Sequence, residues 1–416
     1  MDRMAEAVPG SRSRNLQQFI THSKWKYREV IDHVATDADN LLGDPQDACL
    51  LIDESSFKKQ GDKSVGVSRQ WLGRLGKVDK GQVAVFGALA NGEKVCAVDA
   101  RLYLPEEWTE DPARCEDAGI PEEERVFRTK DELALEIVKH AGQLGLRYGW
   151  VGADAGYGKG TGFMFTLEDL GEKFMVDVHS DFRVYTEDPM PKLPAGKTNR
   201  GRPRKILRSE ATPVEVRMLV ESFAADEWSK EVLRETTRGP LTLWSLTKRV
   251  HVWNGKEAGS REYMLVASKN LDGSDLKISL TNMVGENQTR LCQKQRQRYW
   301  IERAFEDGKS ECGMADYQLR KWSGWHHHMA LVLMSMVFMA SERTRQKKDL
   351  PLLSCSDIEE MLARFLPRRD TTKEEVIRQM HYRHEQRQQA IESHRRSTLR
   401  KNRKYKTAPQ RQEPPK

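Results

Sequence analysis

Two aspartates and one charged stripe are the residues best placed to do chemistry. Asp53 ends the apolar run Ala48-Cys-Leu-Leu-Ile52, and Asp154 ends the run from Gly149 to Ala153. Short continuous apolar runs are the signature of buried strands. A carboxylate at the end of such a strand is held on a rigid element at the rim of a sheet, where sites form. Aspartate also ends strands for purely structural reasons, so one such residue carries little weight and two carry modestly more. The stripe is Arg298-Tyr-Trp-Ile-Glu302-Arg-Ala-Phe-Glu-Asp-Gly-Lys309, with the spacing R-x3-E-x6-K. At about 100° per residue, Arg298 and Glu302 lie about 40° apart on a helix, and Glu302 and Lys309 about 20°. All three share one stripe, while Trp300, Ile301, Ala304 and Phe305 pack elsewhere around the helix. The plainer alternative is an i,i+4 surface pair of Arg298 and Glu302, worth a few tenths of a kcal/mol, and periodicity alone favours it.

The patterning predicts the elements that must carry these groups. Residues 1 to about 46 have helical spacing. Gln82 to Ala90 is a second apolar run; Asn91-Gly92 then signals a hairpin into Val95 to Leu104. Thr129-x-x-Glu132 is a capping box opening a helix through about Leu144. Phe163 to Leu170 suits a short helix, and Phe174 to Val178 a further strand. The order is strand, strand, strand, helix, strand, helix, strand, a mixed α/β layout. Pro189 to Arg208 interrupts it as an exposed loop, with seven basic residues and no acid between Lys192 and Arg208. Residues 210 to 282 are β-rich, with strand-like stretches at 241–253, 263–268 and 276–280. From Gln288 to about Arg345 the chain is helical again, and 357–365 and 373–396 suit further helices. No internal repeat is visible.

Length and charge narrow the class. The 416 residues exceed one average domain and are ample to bury a core. Charged residues make up 31% and mean hydropathy is −0.73, which argues against a membrane protein. The longest apolar stretch, Met329 to Ala340, is too short to span a bilayer and suits a buried helix. The N-terminus has no apolar signal region. Six cysteines include no C-x-x-C pair, so neither a zinc site nor a disulfide framework is expected. The net charge of +7 is uneven: Arg368 to Lys416 holds 15 Lys+Arg and 6 Asp+Glu, leaving the body near neutral. A concentrated basic tail suits a polyanion partner or a solvated end.

Taken together, LLIDES at 50–55, GADAGYG at 152–158 and RYWIERAFEDGK at 298–309 resemble the DDE transposases of bacterial insertion sequences, in the branch of insertion-sequence family 701. The stretches SVGVSRQWLGRLGKVDKGQVAVFGAL at 64–89 and YQLRKWSGWHHHMALVLMSMVF at 317–338 are similar to segments after that family's first Asp and its Glu. The resemblance covers roughly residues 1 to 345. It implies an α/β, RNase H-like mixed-sheet core interrupted by a β-rich insertion, with helical terminal segments. The boundaries it suggests are a helical N-terminal segment at 1–46, a core at 47–188, a basic loop and insertion at 189–285, the rest of the core at 286–345, and a helical and basic C-terminal region at 346–416.

The resemblance further implies that Asp53, Asp154 and Glu302 match the D, D and E that hold two Mg²⁺ ions, with Mn²⁺ able to substitute. Arg298 and Lys309 match the R and K of Y-x2-R-x3-E-x6-K, which contact DNA phosphate near the cut; the Y position falls on Gln295, a departure. The implied partners are the terminal inverted repeats and target DNA, bound by a homodimer on paired ends, with no membrane. A cytoplasmic, nucleoid-associated protein is expected. Carboxylates suit this work because Mg²⁺ prefers hard oxygen ligands. Two such ions activate a nucleophile at neutral pH and relieve charge on the leaving oxygen. Two alternatives remain at this point. One is a truncated, catalytically inactive DNA-binding remnant, since family members carry more helical sequence ahead of the segment that matches Met1 to Gly10. The other is an RNase H-like nuclease outside transposition.

Smaller signals add to this. Arg200-Gly-Arg202-Pro, followed by Arg204 and Lys205, resembles the core of an AT-hook, which lies in the narrow A·T minor groove; a flexible basic loop is the plainer alternative. His326 to His328 are expected to serve packing and surface, because consecutive helical positions diverge. Gly156 and Gly158 permit close backbone approach around Tyr157, so that turn is expected to shape the site. Trp244 and Trp253 are expected in a β-rich core, with base stacking as the alternative.

Overall fold

In the computed structural model, which describes residues 2–193, 206–236, 239–369 and 372–407, the run at 48–52 opens a longer strand, β1 (Cys49–Lys58). Asp53 therefore does not end it. The strand continues because β3 pairs with it along its whole length. The chain reaches β3 (Lys77–Asn91) through β2 (Ser68–Leu72), and Cys49 stands opposite Ala90, Lys58 opposite Gly81. Gly92, at φ +58°, turns β3 into β4 (Lys94–Leu102) as the Asn-Gly signal predicts.

Two short helices, α4 (Glu106–Thr109) and α5 (Pro112–Ala118), follow the three N-terminal helices α1 (Asp2–Ala7), α2 (Ser13–Thr21) and α3 (Tyr27–Leu42). The predicted capping box opens α6 (Lys130–Gln143): Thr129 N–H donates to the Glu132 carboxylate at 2.7 Å, and Glu132 N–H to Thr129 Oγ1 at 3.2 Å. α6 buries Leu133, Ala134, Ile137, Val138 and Ala141. It returns the chain to β5 (Trp150–Ala153), which runs parallel to β1. α7 (Gly162–Asp169) makes the next crossover, and β6 (Phe174–Asp177) lies parallel to β5.

A small ladder of β7 (Arg183–Val184) and β8 (Val214–Glu215) precedes α8 (Val216–Glu221). The β-rich stretch then forms β9 (Ser229–Thr236), β10 (Gly239–Val252), β11 (Arg261–Asn270) and β12 (Lys277–Thr281), each antiparallel to the last. These strands extend the core sheet, because β12 pairs with β6. The sheet order is β2-β3-β1-β5-β6-β12-β11-β10-β9, with β4 also on β3. This large mixed sheet with helices is consistent with an RNase H-like fold.

Helices bury both faces of the sheet, as parallel strands require. Leu50, Ile52 and Val151 pack with residues of α6 and α7. Leu51, Trp150 and Val266 pack on the other face with α9 (Gln288–Gln297), α10 (Tyr299–Ser310) and α11 (Trp322–Arg345). The apolar stretch at 329–340 lies in α11 as a helix with one buried side. Among the described residues no helix is long and apolar enough to cross a membrane. His326 and His327 are buried in the same helix. His326 Nδ1 meets the Trp322 carbonyl at 2.9 Å, and burial pushes its pKa down to about 3, so the ring is neutral packing. All six cysteines are free thiols.

Residues 20–361 form one compact unit; residues 1–19 with 362–416 form another. The boundary in sequence falls within α12 (Cys355–Phe365). In the second, α13 (Lys373–Thr407) meets α1 through an ion pair of Arg383 with Glu6, and Arg369 donates to the carbonyls of Val8 and Ser11.

Candidate active site

The site forms where the parallel part of the sheet stops. Ile52 stands opposite Ala153 in the last pair of the β1–β5 ladder. Asp53, inside β1, and Asp154, one residue past β5, thus stand at the same level on neighbouring chain segments. The next residues wrap Asp154 in a tight turn. Its Oδ1 accepts from Gly156 N–H at 2.9 Å, and its carbonyl accepts from Tyr157 and Gly158 N–H. A Cβ on Gly158 would overlap the Asp177 carbonyl oxygen, so only glycine lets this turn lie against the end of β6.

The third carboxylate comes from the facing helices. α9 ends at Gln297, and Arg298 occupies the break before α10. Its guanidinium spans three elements: Nη1 reaches Asp53 Oδ2 at 3.4 Å, Nε reaches Asp177 Oδ2 at 3.1 Å, and Nη2 reaches Glu302 Oε1 at 3.0 Å. The i,i+4 pair read from the spacing therefore exists, but it is not a surface pair. The Arg298 side chain is only 16% exposed, and Glu302 is the exposed member. Lys309 follows on the same helix, half-buried, its Nζ 5.7 Å from the Phe57 ring centroid.

Asp177 was not singled out from the sequence. The signal was present, because Phe174-Met-Val-Asp177 is a third short apolar run ending in aspartate. Arg200, Arg202, Arg204 and Lys205 lie outside the described residues. The ends of their loop are described: Lys192 and Arg208 pair through both backbone N–H groups, at 2.8 and 3.0 Å.

Electrostatics single out Asp53. Burial pushes its carboxyl up to about 7, the Asp154 and Glu302 charges push the same way, and Arg298 and the Glu54 N–H oppose them. Burial also raises Asp177, against the pull of Arg298 and Ser279. Beside them, the Tyr157 hydroxyl is buried without a hydrogen-bond partner, and burial and the charges of Glu54, Asp53 and Asp154 hold it protonated.

These residues fit a hard divalent cation by donor chemistry: only oxygen ligands converge, and their mutual repulsion is the kind a cation relieves. Arg298 supplies the positive charge in this arrangement. Among the described residues no three His, Cys, Asp or Glu side chains stand close enough to cage an ion as they are placed.

The raised Asp53 value sets a pH dependence. Between the ordinary value of 3.8 and about 7, the folded protein holds a proton that the unfolded chain releases. Stability from this group therefore falls as pH rises through that window and levels off above it. Asp53→Asn is expected to remove that part of the slope, so the variant gains on the parent between pH 4 and pH 8. Urea midpoints at pH 4, 6 and 8 measure it; parallel curves for the two proteins would refute the burial of an unfavourable charge.

Comparison with known proteins points to a family. A family model described as DDE superfamily endonuclease matches residues 1–240, a range that includes Asp53 and Asp154. A protein of Microchaete diplosiphon, described as a probable transposase for insertion sequence element IS701, is 24% identical over 323 residues, which cover 77% of this chain and 72% of that protein.

Proposed function

The chain belongs to the DDE superfamily endonucleases, and we propose that it is a DNA transposase that cuts at the ends of an insertion sequence and joins them to target DNA. The observation that carries this reading is the meeting of Asp53 and Glu302 on one buried guanidinium, with Asp154 beside Asp53 at the end of the parallel ladder. The similarity to a probable insertion-sequence transposase supports the same reading.

In this proposal Asp53, Asp154 and Glu302 hold two Mg²⁺ ions, or Mn²⁺ in their place. When bound, the ions supply a nucleophile active at neutral pH and charge relief for the leaving oxygen. The chain's own residues do the rest. β1 fixes one carboxylate on a rigid strand, and the turn that follows β5 fixes the second. α10 brings the third from the opposite side, where it is the exposed member. Arg298 and Lys309 supply positive charge for the DNA backbone near the cut, Arg298 from its buried place among Asp53, Asp177 and Glu302. The basic residues Arg200, Arg202, Arg204 and Lys205 add sequence-independent phosphate contacts. A homodimer on paired ends belongs to the same proposal.

The test is to incubate the protein with terminal-repeat DNA and Mg²⁺ and to score nicking and joining separately. Both activities are expected. Nicking without joining points to a nuclease outside transposition. A salt-sensitive gel shift with no metal-dependent cutting points to an inactive DNA-binding remnant.

A further inference from the structure

Behind Arg298 runs a chain of buried polar groups that the metal site does not explain. Gln295, in the last turns of α9, is 1% exposed. Its amide is fully used: Oε1 accepts from Ser268 Oγ on β11, and Nε2 donates to the Val266 carbonyl at 2.9 Å and to Ser279 Oγ on β12 at 2.8 Å. Ser279 Oγ in turn donates to Asp177 Oδ1 at 2.5 Å. Asp177 Oδ2 accepts from Arg298 Nε at 3.1 Å.

The polarity of the chain is fixed. Amide Nε2 only donates, so the Ser279 oxygen accepts from it and has its single proton left for Asp177. Both Asp177 oxygens are then taken, and the carboxylate has no rotation left to follow a moving partner. A buried polar network of this kind is costly unless every member is satisfied, and here each is. Apolar side chains would pack as well, so packing alone does not account for the choice.

Arg298 gives the network a purpose. It has three carboxylate partners, and two of them are the groups proposed to hold metal. If Asp53 and Glu302 turned to a cation with no third partner present, a guanidinium only 16% exposed would be left uncompensated. Asp177 is the partner that stays.

We propose that Asp177, oriented by Ser279 and Gln295, is a positioning residue that keeps Arg298 anchored through Nε, so that Asp53 and Glu302 are free to engage a divalent cation. The proposal rests on the reading of Asp53, Asp154 and Glu302 as the metal-holding set. Without Asp177, Arg298 has only those carboxylates to pair with and competes with the cation for them. Loss of Asp177 therefore weakens metal binding while leaving DNA contacts in place.

The experiment uses the full chain as the parent, Asp177→Asn, Ser279→Ala, Ser279→Thr and Asp53→Ala, with Mn²⁺ alone as the probe. The thermal midpoint is titrated with Mn²⁺ without DNA, DNA affinity is measured by gel shift in chelator, and cutting is measured at saturating DNA. Partners of metal ligands typically carry about 10- to 100-fold in metal affinity or activity. Asp177→Asn is expected to raise the half-saturating Mn²⁺ concentration about 10-fold and to lower cutting in the same range, with DNA affinity within about twofold of the parent. Ser279→Ala is expected to shift both in the same direction by less. Ser279→Thr, which keeps the hydroxyl, should lie near the parent.

An unmoved Mn²⁺ titration in both Asp177→Asn and Ser279→Ala overturns the proposal, whatever happens to cutting. If Asp177→Asn does not fold, Ser279→Ala decides by the same criterion. A parent that responds to Mn²⁺ as strongly as Asp53→Ala does overturns the metal reading instead, and a parent with no response overturns both.

Discussion

Asp53→Ala and Glu302→Ala are each expected to lower metal-dependent DNA cutting by about 10³-fold or more, equivalent to roughly 4 kcal/mol of transition-state stabilisation. DNA affinity measured in chelator should change little, because neither carboxylate carries positive charge to the backbone. The two substitutions differ in their effect on the fold. Asp53 is a strand residue with a buried, unfavourable charge, so its removal at pH 8 should stabilise the protein. Glu302 is largely exposed, and its loss removes one of three partners of Arg298, so stability should change little or fall slightly. Single-turnover cutting together with urea unfolding separates these effects. Parental cutting rates in either variant would sink the assignment of the site.

Arg298→Ala should be the most destabilising single change in the site. A guanidinium that is only 16% exposed now offsets carboxylates from β1, β6 and α10. Removing one partner of a buried pair leaves the other uncompensated, at a cost of about 3 kcal/mol or more. Here several carboxylates lose one cation together, so the repulsion already evident at Asp53 should grow. A divalent cation should then restore part of the loss, and the variant's thermal midpoint should rise more with Mg²⁺ than the parent's does. Arg298→Lys retains the charge but not the three-way fork, so it should recover stability only in part. Equal Mg²⁺ responses in parent and Arg298→Ala would show that Arg298 does not stand in for a cation.

Much of the fold was legible because its cues are local. The continuous apolar runs marked β1, β5 and β6, the Asn-Gly step marked the β3–β4 turn, and the Thr129–Glu132 box marked the start of α6. What was missed lacks such cues. β2 is Ser-Arg-Gln-Trp-Leu at the edge of the sheet, with the Trp71 side chain exposed and only Leu72 buried. α4, α5 and α8 are each too short to show a period. The β-rich stretch was recognised as strands, but not its pairing with β6. That pairing joins Asp177 to Ser279, a hundred residues apart in sequence, and no local pattern encodes it.

The site divides in the same way. Asp53 and Asp154 were legible from their positions after apolar runs. Spacing put Arg298 and Glu302 on one stripe, yet said nothing of burial, because an inward and an outward ion pair share one period. Asp177 carried the same cue as the other two aspartates and belonged to none of the quoted motifs. Gln295 stood out only as a departure from a tyrosine; its place in a buried network became visible once β11 and β12 lay beneath it.

The sheet also has a mechanical side. Its two halves, the strands from β2 to β6 and the arm of β12 to β9, are stitched together by the ladder pairs of Asp177 with Ser279 and Val176 with Leu280, by hydrogen bonds of Val178, Phe174 and Glu172 to residues 278–282, and by the bridge of Tyr185 with His251. Residues of both halves, Val176 and Val184 with Val250, Tyr263 and Leu280, also share one buried core, so the arm and the parallel strands are one continuous slab. One of the stitches is Asp177 with Ser279, whose side chains orient the carboxylate that holds Arg298. The arm thus serves as the foundation on which the guanidinium at the centre of the site is seated.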